Sequence, residues 1–257
     1  MLLRKKSADG LTMIEIRRLK RKRKKTRKKI LLSIMLMLMI CVGILFTPLF
    51  NLHEIEVNGN LKIKTDELIK ASGFIMGENI FKFKLNESGE RVSQIPYVNS
   101  VFIKRKLPGR IEINVTESIP MGYISYNDKL LVVDKDGKVL EAKNEKINYQ
   151  IPILSDFKVS QFTLGKKINE KDEEKLKKTL EIAKNLYNNN LIDKIVSITS
   201  QKDDFYLIVN DNLKIVIGDT ENLSGKLVML KEVLNKLPED ATGIIDARNA
   251  DKVYHRT

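Results

Sequence analysis

The chain reads as an α+β protein held outside a membrane by a single N-terminal transmembrane helix, and three observations predict this. Residues 30–50 form an uncharged apolar run. The 29 residues before it hold 14 Lys or Arg against only Asp9 and Glu15. Past Phe50, segments that alternate in polarity every second residue are interleaved with segments whose apolar residues recur at helical spacing. As a helix, the 21 apolar residues rise about 30 Å, the thickness of a bilayer hydrocarbon core. Lys and Arg beside a span stay on the cytoplasmic side, so residues 1–29 are predicted to be a cytoplasmic tail, 30–50 the span, and the 207 residues after Phe50 the exported part. A cleaved signal peptide would have a shorter apolar core and a small-residue cleavage site. Phe46-Thr47-Pro48-Leu49-Phe50 offers none, so the run is read as a retained anchor.

The formal net charge of +13 belongs almost entirely to the tail, because past Phe50 the count is 32 basic against 31 acidic residues. That balance, with no basic stripe of interleaved aromatics, argues against nucleic-acid binding by the exported part. The tail segment Arg17–Lys29 suits anionic lipid, at about 1 kcal/mol per basic residue near the surface. The one cysteine, Cys41, lies in the span. No intrachain disulfide can form, and the exported part must be stabilised by apolar burial.

Directly after the span, 53–57 alternates as a strand and Asn58-Gly59-Asn60 turns it. Thr65 is predicted to cap a helix with Asp66 and Glu67 in its first turn, Leu68 and Ile69 inward and Gly73 as terminator. A second short helix is expected over 86–95, stopped by Pro96. Strands at 98–104 and 110–117 flank Leu107-Pro108-Gly109. In the second strand, Ile111, Ile113 and Val115 share one face while Glu112, Asn114 and Thr116 share the other. The order is β-α-α-β-β. That order, with the basic arm Lys104-Arg105-Lys106, the Pro turn, the alternating strand and then Glu117-Ser118-Ile119-Pro120, resembles the POTRA module of the bacterial cell-division family FtsQ/DivIB.

The resemblance continues to about residue 250. A short hairpin turns at Asp134-Lys135-Asp136-Gly137, and Ile151-Pro152-Ile153-Leu154 resembles the family's Leu-Pro-x-Leu strand. One helix is predicted with Asn169 as N-cap and Leu176, Leu180, Ala183 and Tyr187 on one face. Another carries Leu223, Leu227, Leu230, Leu234 and Leu237 before Pro238. Between them lie strands at 195–199, 205–209 and 213–217, and 244–248 resembles the family's terminal strand. The predicted organisation is a POTRA domain at 51–119, a mixed β-sheet domain with two helices at 120–250, and a C-terminal tail at 251–257.

Catalytic chemistry finds little support. His53 and His255 stand far apart without a nucleophile context. Asp134-Lys135-Asp136-Gly137 lacks the later positions of a calcium loop and reads as a hairpin turn. Ser224-Gly225-Lys226 lacks the earlier glycine of a phosphate loop and reads as a helix start. No catalytic residue, metal site or cofactor is expected. The resemblance implies a non-catalytic divisome scaffold at the septum that binds FtsL-like and FtsB/DivIC-like bitopic proteins and links them to the septal peptidoglycan synthase. A POTRA-bearing polypeptide-export component and an anchored wall hydrolase are the alternatives. Family members use their last strands to receive FtsB, which implies a partner site at Arg248, Asn249, Ala250, Val253 and Tyr254. From chain order alone, residues after 248 suffice for one more strand or a loose end, and either leaves a sheet edge open to β-augmentation.

Overall fold

The structure, a computed structural model, describes residues 13–144, 150–169, 171–202, 204–210, 212–238, 240–250 and 252–256. Helix α1 runs from Met13 to Leu45. It stops short of Phe50, the predicted end of the span. Proline at 48 lacks an N–H and disfavours helix in the residue before it. The chain accordingly turns at 46–47 and enters a 3-10 turn, Pro48–Phe50.

The remaining elements in order are β1 (Glu54–Asn58), α2 (Thr65–Ser72), α3 (Leu85–Ser93), β2 (Val98–Lys106), β3 (Arg110–Glu117), β4 (Pro120–Tyr126), β5 (Lys129–Asp134), β6 (Val139–Lys143), β7 (Ile153–Leu154), α4 (Glu173–Asn188), β8 (Ser197–Gln201), β9 (Asp204–Asn210), β10 (Leu213–Gly218), α5 (Leu223–Leu234), β11 (Gly243–Asn249) and β12 (Lys252–Arg256). The fold is α+β, with an N-terminal apolar helix, a POTRA-type β-α-α-β-β run and a mixed sheet with helices. Two helix starts differ from expectation. Lys64, not Thr65, is the N-cap of α2, and Thr65 is its first helical residue. The N-cap of α4 is Asp172 rather than Asn169, its carboxylate accepting the Lys175 N–H at 3.0 Å.

Packing divides the chain into two compact units. The first comprises Met1–Glu56, Phe74–Lys84 and Lys104–Glu112. In it the Leu52 N–H donates to the Glu78 carbonyl (2.8 Å) and the Ile80 N–H to the Phe50 carbonyl (2.9 Å). Arg105 clamps the same segment through the carbonyls of Ile80 (2.9 Å) and Phe83 (2.6 Å). Glu112, on the strand face opposite Ile111, Ile113 and Val115, is 6% exposed. Lys104 at 3.1 Å and Lys106 cover it, so the carboxylate is buried with its counter-charges.

The second unit comprises Val57–Gly73, Leu85–Ile103 and Ile113–Thr257. Leu68 of α2 and Val92 of α3 are fully buried, and Gly73 closes α2 in the left-handed conformation at φ 71°. The Glu117 carboxylate accepts the successive backbone N–H groups of Leu61, Lys62 and Ile63, with nearest distances of 2.9 Å to each. This gives the Glu-x-x-Pro glutamate a structural role, anchoring the loop before α2.

Two sheets form. Three strands lie in the order β1-β3-β2, and nine in the order β12-β11-β10-β9-β8-β7-β4-β5-β6. Both helices of the larger sheet are crossovers between parallel strands, because β7 and β8 are parallel with α4 between them, and β10 and β11 are parallel with α5 between them. Such connections need a dozen or more residues, and a helix supplies them. The two helices touch each other and so cover one face, where Leu180, Ala183, Leu227 and Leu230 pack on Ile198, Leu207, Ile215 and Ile245.

Ile113 and Val115 of β3 are 0% and 5% exposed. Replacing Ile113 by Asp should destabilise the protein by about 3 kcal/mol or more, the cost of an unpaired buried charge. Chemical denaturation checks this, with Thr116→Asp on the exposed side of the same strand as the near-neutral comparison.

Candidate partner-binding edge

A nine-stranded open sheet has two edges, and here they differ. At β6 the chain returns alongside the strand: the Val139 N–H donates to the Lys166 carbonyl (2.9 Å), the Gly165 N–H donates to the Val139 carbonyl (2.8 Å), and Lys138 bridges to Lys167. At the other side β12 pairs, among the described residues, with β11 alone. The residues set apart as a tail therefore contain the edge strand itself. Its antiparallel register places Ile244 opposite Arg256, Ile245 opposite His255, and Asp246 opposite Tyr254.

Alternation in β11 turns Ile245 and Ala247 into the core, both 0% exposed, and leaves Ile244, Asp246 and Arg248 on the opposite face. Tyr254 shares that face through its register with Asp246 and is 54% exposed. Val253 is half-buried and packs against the core beneath, so the outer side of β12 offers its backbone there rather than its side chain. Asn249 ends β11 and Ala250 lies in the turn. The implied residues therefore fall at one place in the fold, the β11–β12 corner, while Asp251 lies outside the described residues.

Arg248 donates Nε to Asp246 Oδ1 (2.9 Å) and Nη2 to Asp246 Oδ2 (2.6 Å), a bidentate pair within one strand. These bonds hold the Asp246 carboxyl below the usual aspartate range against the opposing effect of partial burial, and they raise the guanidinium in turn. The stem of Arg248 crosses Gly218 at the end of β10. A Cβ there would approach Arg248 Cγ to 2.9 Å, and Gly218 already has a φ of 69°. Asp246 and the neighbouring cation–π pair of Lys214 over Tyr206, 3.9 Å from the ring centroid, escape a reading by chain order. The strand's alternation carries the only signal for Asp246.

The other motifs resolve into structure. Asp134 Oδ1 accepts the N–H groups of Asp136 (2.9 Å) and Lys138 (3.0 Å), closing a turn completed by Gly137 at φ 76°. Lys226 lies on the buried face of α5, its ammonium bonded to the carbonyls of Ile217 (3.2 Å) and Asp219 (3.0 Å). No group of three His, Cys, Asp or Glu side chains able to hold a metal ion occurs among the described residues.

The chain combines a helix long and apolar enough to cross a membrane with a POTRA-type module and a mixed sheet whose margin strand, β12, is paired on one side among the described residues. Residues 50–118 match the family model described as POTRA domain, FtsQ-type, and residues 122–248 match that described as Cell division protein FtsQ/DivIB, C-terminal. The chain is similar to Cell division protein DivIB of Clostridium tetani, with 32% identity over 193 residues, 70% of this chain and 68% of the relative. It is similar to DivIB of Clostridium acetobutylicum at 30% over 226 residues, 83% of this chain and 82% of the relative. To DivIB of Staphylococcus aureus the identity is 25% over 206 residues, covering 79% of this chain and 44% of that longer protein. The chain belongs to the FtsQ/DivIB family of cell division proteins.

The lowered Asp246 carboxyl has a pH signature. A depressed folded-state pKa contributes stability that is full above the unfolded value of about 4 and is lost as pH falls through the folded value. In an NMR titration Asp246 should have a midpoint below the ordinary aspartate value, and Arg248→Ala should move it upward. The stability difference between the two proteins should shrink as the solution is acidified below about pH 4.

Proposed function

We propose that this protein is a non-catalytic scaffold of the divisome, spanning the membrane once with residues 1–29 in the cytoplasm and its sheet domains outside, at the septum. Its partners are FtsL-like and FtsB/DivIC-like bitopic division proteins, through which it links to the septal peptidoglycan synthase complex. The basic tail lies against anionic lipid of the inner leaflet. The functional boundary between the POTRA part and the β domain falls near Pro120, within the short gap between the two matched family regions.

The observation that carries this reading is the unpaired edge of β12 beside the exposed Tyr254 and Arg248. An open strand edge binds an extended partner segment through its backbone groups, and pockets beside it select the side chains. Tyr254 supplies an aromatic anchor of a kind enriched in interface hot spots. Arg248 is held by Asp246 yet keeps a 59% exposed side chain, so a partner carboxylate can share it.

Truncation after Asn249 and the substitution Tyr254→Ala should each weaken binding of a DivIC-like ectodomain at least tenfold, about 1.4 kcal/mol; Tyr254→Ala should keep the melting profile, while the truncation, which removes β12 and its Val253 contact, should lower it. Calorimetric titration with the two purified ectodomains measures this. Unchanged affinity in a folded truncated protein would rule out the edge as the binding site.

A further inference from the structure

The uncharged part of helix α1 is short for a bilayer. It covers Ile30–Leu45, 16 residues, and rises about 24 Å, several ångströms less than a typical hydrocarbon core. On the tail side, Lys and Arg stems can extend to the surface. On the far side the shortfall must be met by the residues after Leu45. Phe46 and Leu49 there are 70% and 61% exposed.

The unit beyond Leu45 is bonded to the end of the helix. Asn79 donates Nδ2 to the carbonyl of Leu45 at 2.8 Å, satisfying one of the terminal carbonyls that an α-helix leaves without a partner. The Phe50 and Phe81 rings lie 5.4 Å apart. The Gly109 carbonyl accepts the His53 N–H at 2.9 Å. Loop 74–84 and the hairpin tip at 107–109 therefore belong to the same compact unit as the end of the span. This end of the unit is apolar: Ile75 is 57% exposed, Met76 55%, Leu107 60% and Phe81 38%. Loop 74–84 carries Glu78 against Lys82 and Lys84, a net charge of +1, so an attraction to lipid rests mainly on these apolar side chains rather than on charge.

We propose that loop 74–84 and the hairpin tip at Leu107 lie in the interfacial layer of the membrane's outer leaflet, with Ile75, Met76, Phe81 and Leu107 inserted among phospholipid headgroups and upper acyl chains. The occupant of this surface is lipid because the surface is continuous with the span, through the Asn79–Leu45 bond. The contact fixes the height and tilt of the first unit on the membrane. It rests on the spanning reading of α1, and the experiment separates the two.

The chain contains no Trp, so single-Trp variants report one position each. Full-length protein carrying Leu36→Trp, Met76→Trp or Leu107→Trp is reconstituted into phosphatidylcholine vesicles with or without bromine on the acyl chains. Leu36→Trp tests the span itself. The proposal expects Met76→Trp and Leu107→Trp to lose emission in brominated vesicles and to shift to the blue relative to the protein in urea. It is overturned if Leu36→Trp is quenched while Met76→Trp and Leu107→Trp are not, whether those two are open to aqueous iodide or shielded from it by protein. Absence of quenching at Leu36→Trp would overturn the spanning reading and this contact with it.

Discussion

Backbone hydrogen bonding has to end somewhere in an open sheet, and the position of that end organises the larger sheet of this molecule. The nine strands from β6 to β12 satisfy one another except at the two margins. At β6 the segment 165–167 comes back to occupy part of the margin. At β12, among the described residues, no segment returns, and the strand pairs with β11 alone. The core beneath it is complete without a further strand: Ile245 and Ala247 are fully buried under α5, and Val253 adds the last half-buried contact. The edge is therefore open because of its hydrogen-bonding pattern, not because apolar surface is missing. A partner segment can add to it without repacking the fold.

The same need to satisfy polar groups explains several residues that look functional in isolation. Glu117 neutralises three consecutive N–H groups before α2. Lys226 is 4% exposed and satisfies carbonyls at the end of β10. Ser118 donates to Asp134 Oδ2 at 2.9 Å inside the second unit. Each is a polar group with its partner in place, and removing one partner leaves the other desolvated at a cost of about 1–3 kcal/mol. Substitutions at Glu117 or Lys226 that impair division would therefore act through folding, and a stability measurement separates them from effects at the β12 edge.

Much of the architecture is legible in the sequence because alternation and helical spacing report burial directly. Ile111, Ile113 and Val115 share the buried side of β3, and Leu227, Leu230 and Leu234 the buried stripe of α5. Glu112, on the other face, is buried as well, for a reason that alternation cannot encode. Its face is covered by Lys104 and Lys106, from the neighbouring strand. The early end of α1 is written in Pro48 but is outweighed by the length of the apolar run. Helix starts at Lys64 and Asp172 differ from expectation by one and three residues because Thr65, Asn169 and Asp172 are all acceptable caps, and only tertiary packing chooses among them. At the candidate site, resemblance and chain order point to Arg248, Val253 and Tyr254. Residues 252–256 contain one aliphatic residue, Val253, too weak an alternation to announce a strand. Asp246 as the partner of Arg248 is visible only in the geometry of β11.

If the sheet ends at β12 with its outer backbone groups open to a partner strand, amide hydrogen exchange resolved along residues 243–256 should show it most directly. The measurement is made on the ectodomain alone and with a DivIC-like ectodomain bound. In the free protein β11 should exchange slowly and β12 much faster, and binding should slow exchange at β12. A β12 already as protected as β11 in the free protein, or complex formation that leaves β12 unchanged and protects another edge, would contradict an open, partner-receiving edge there.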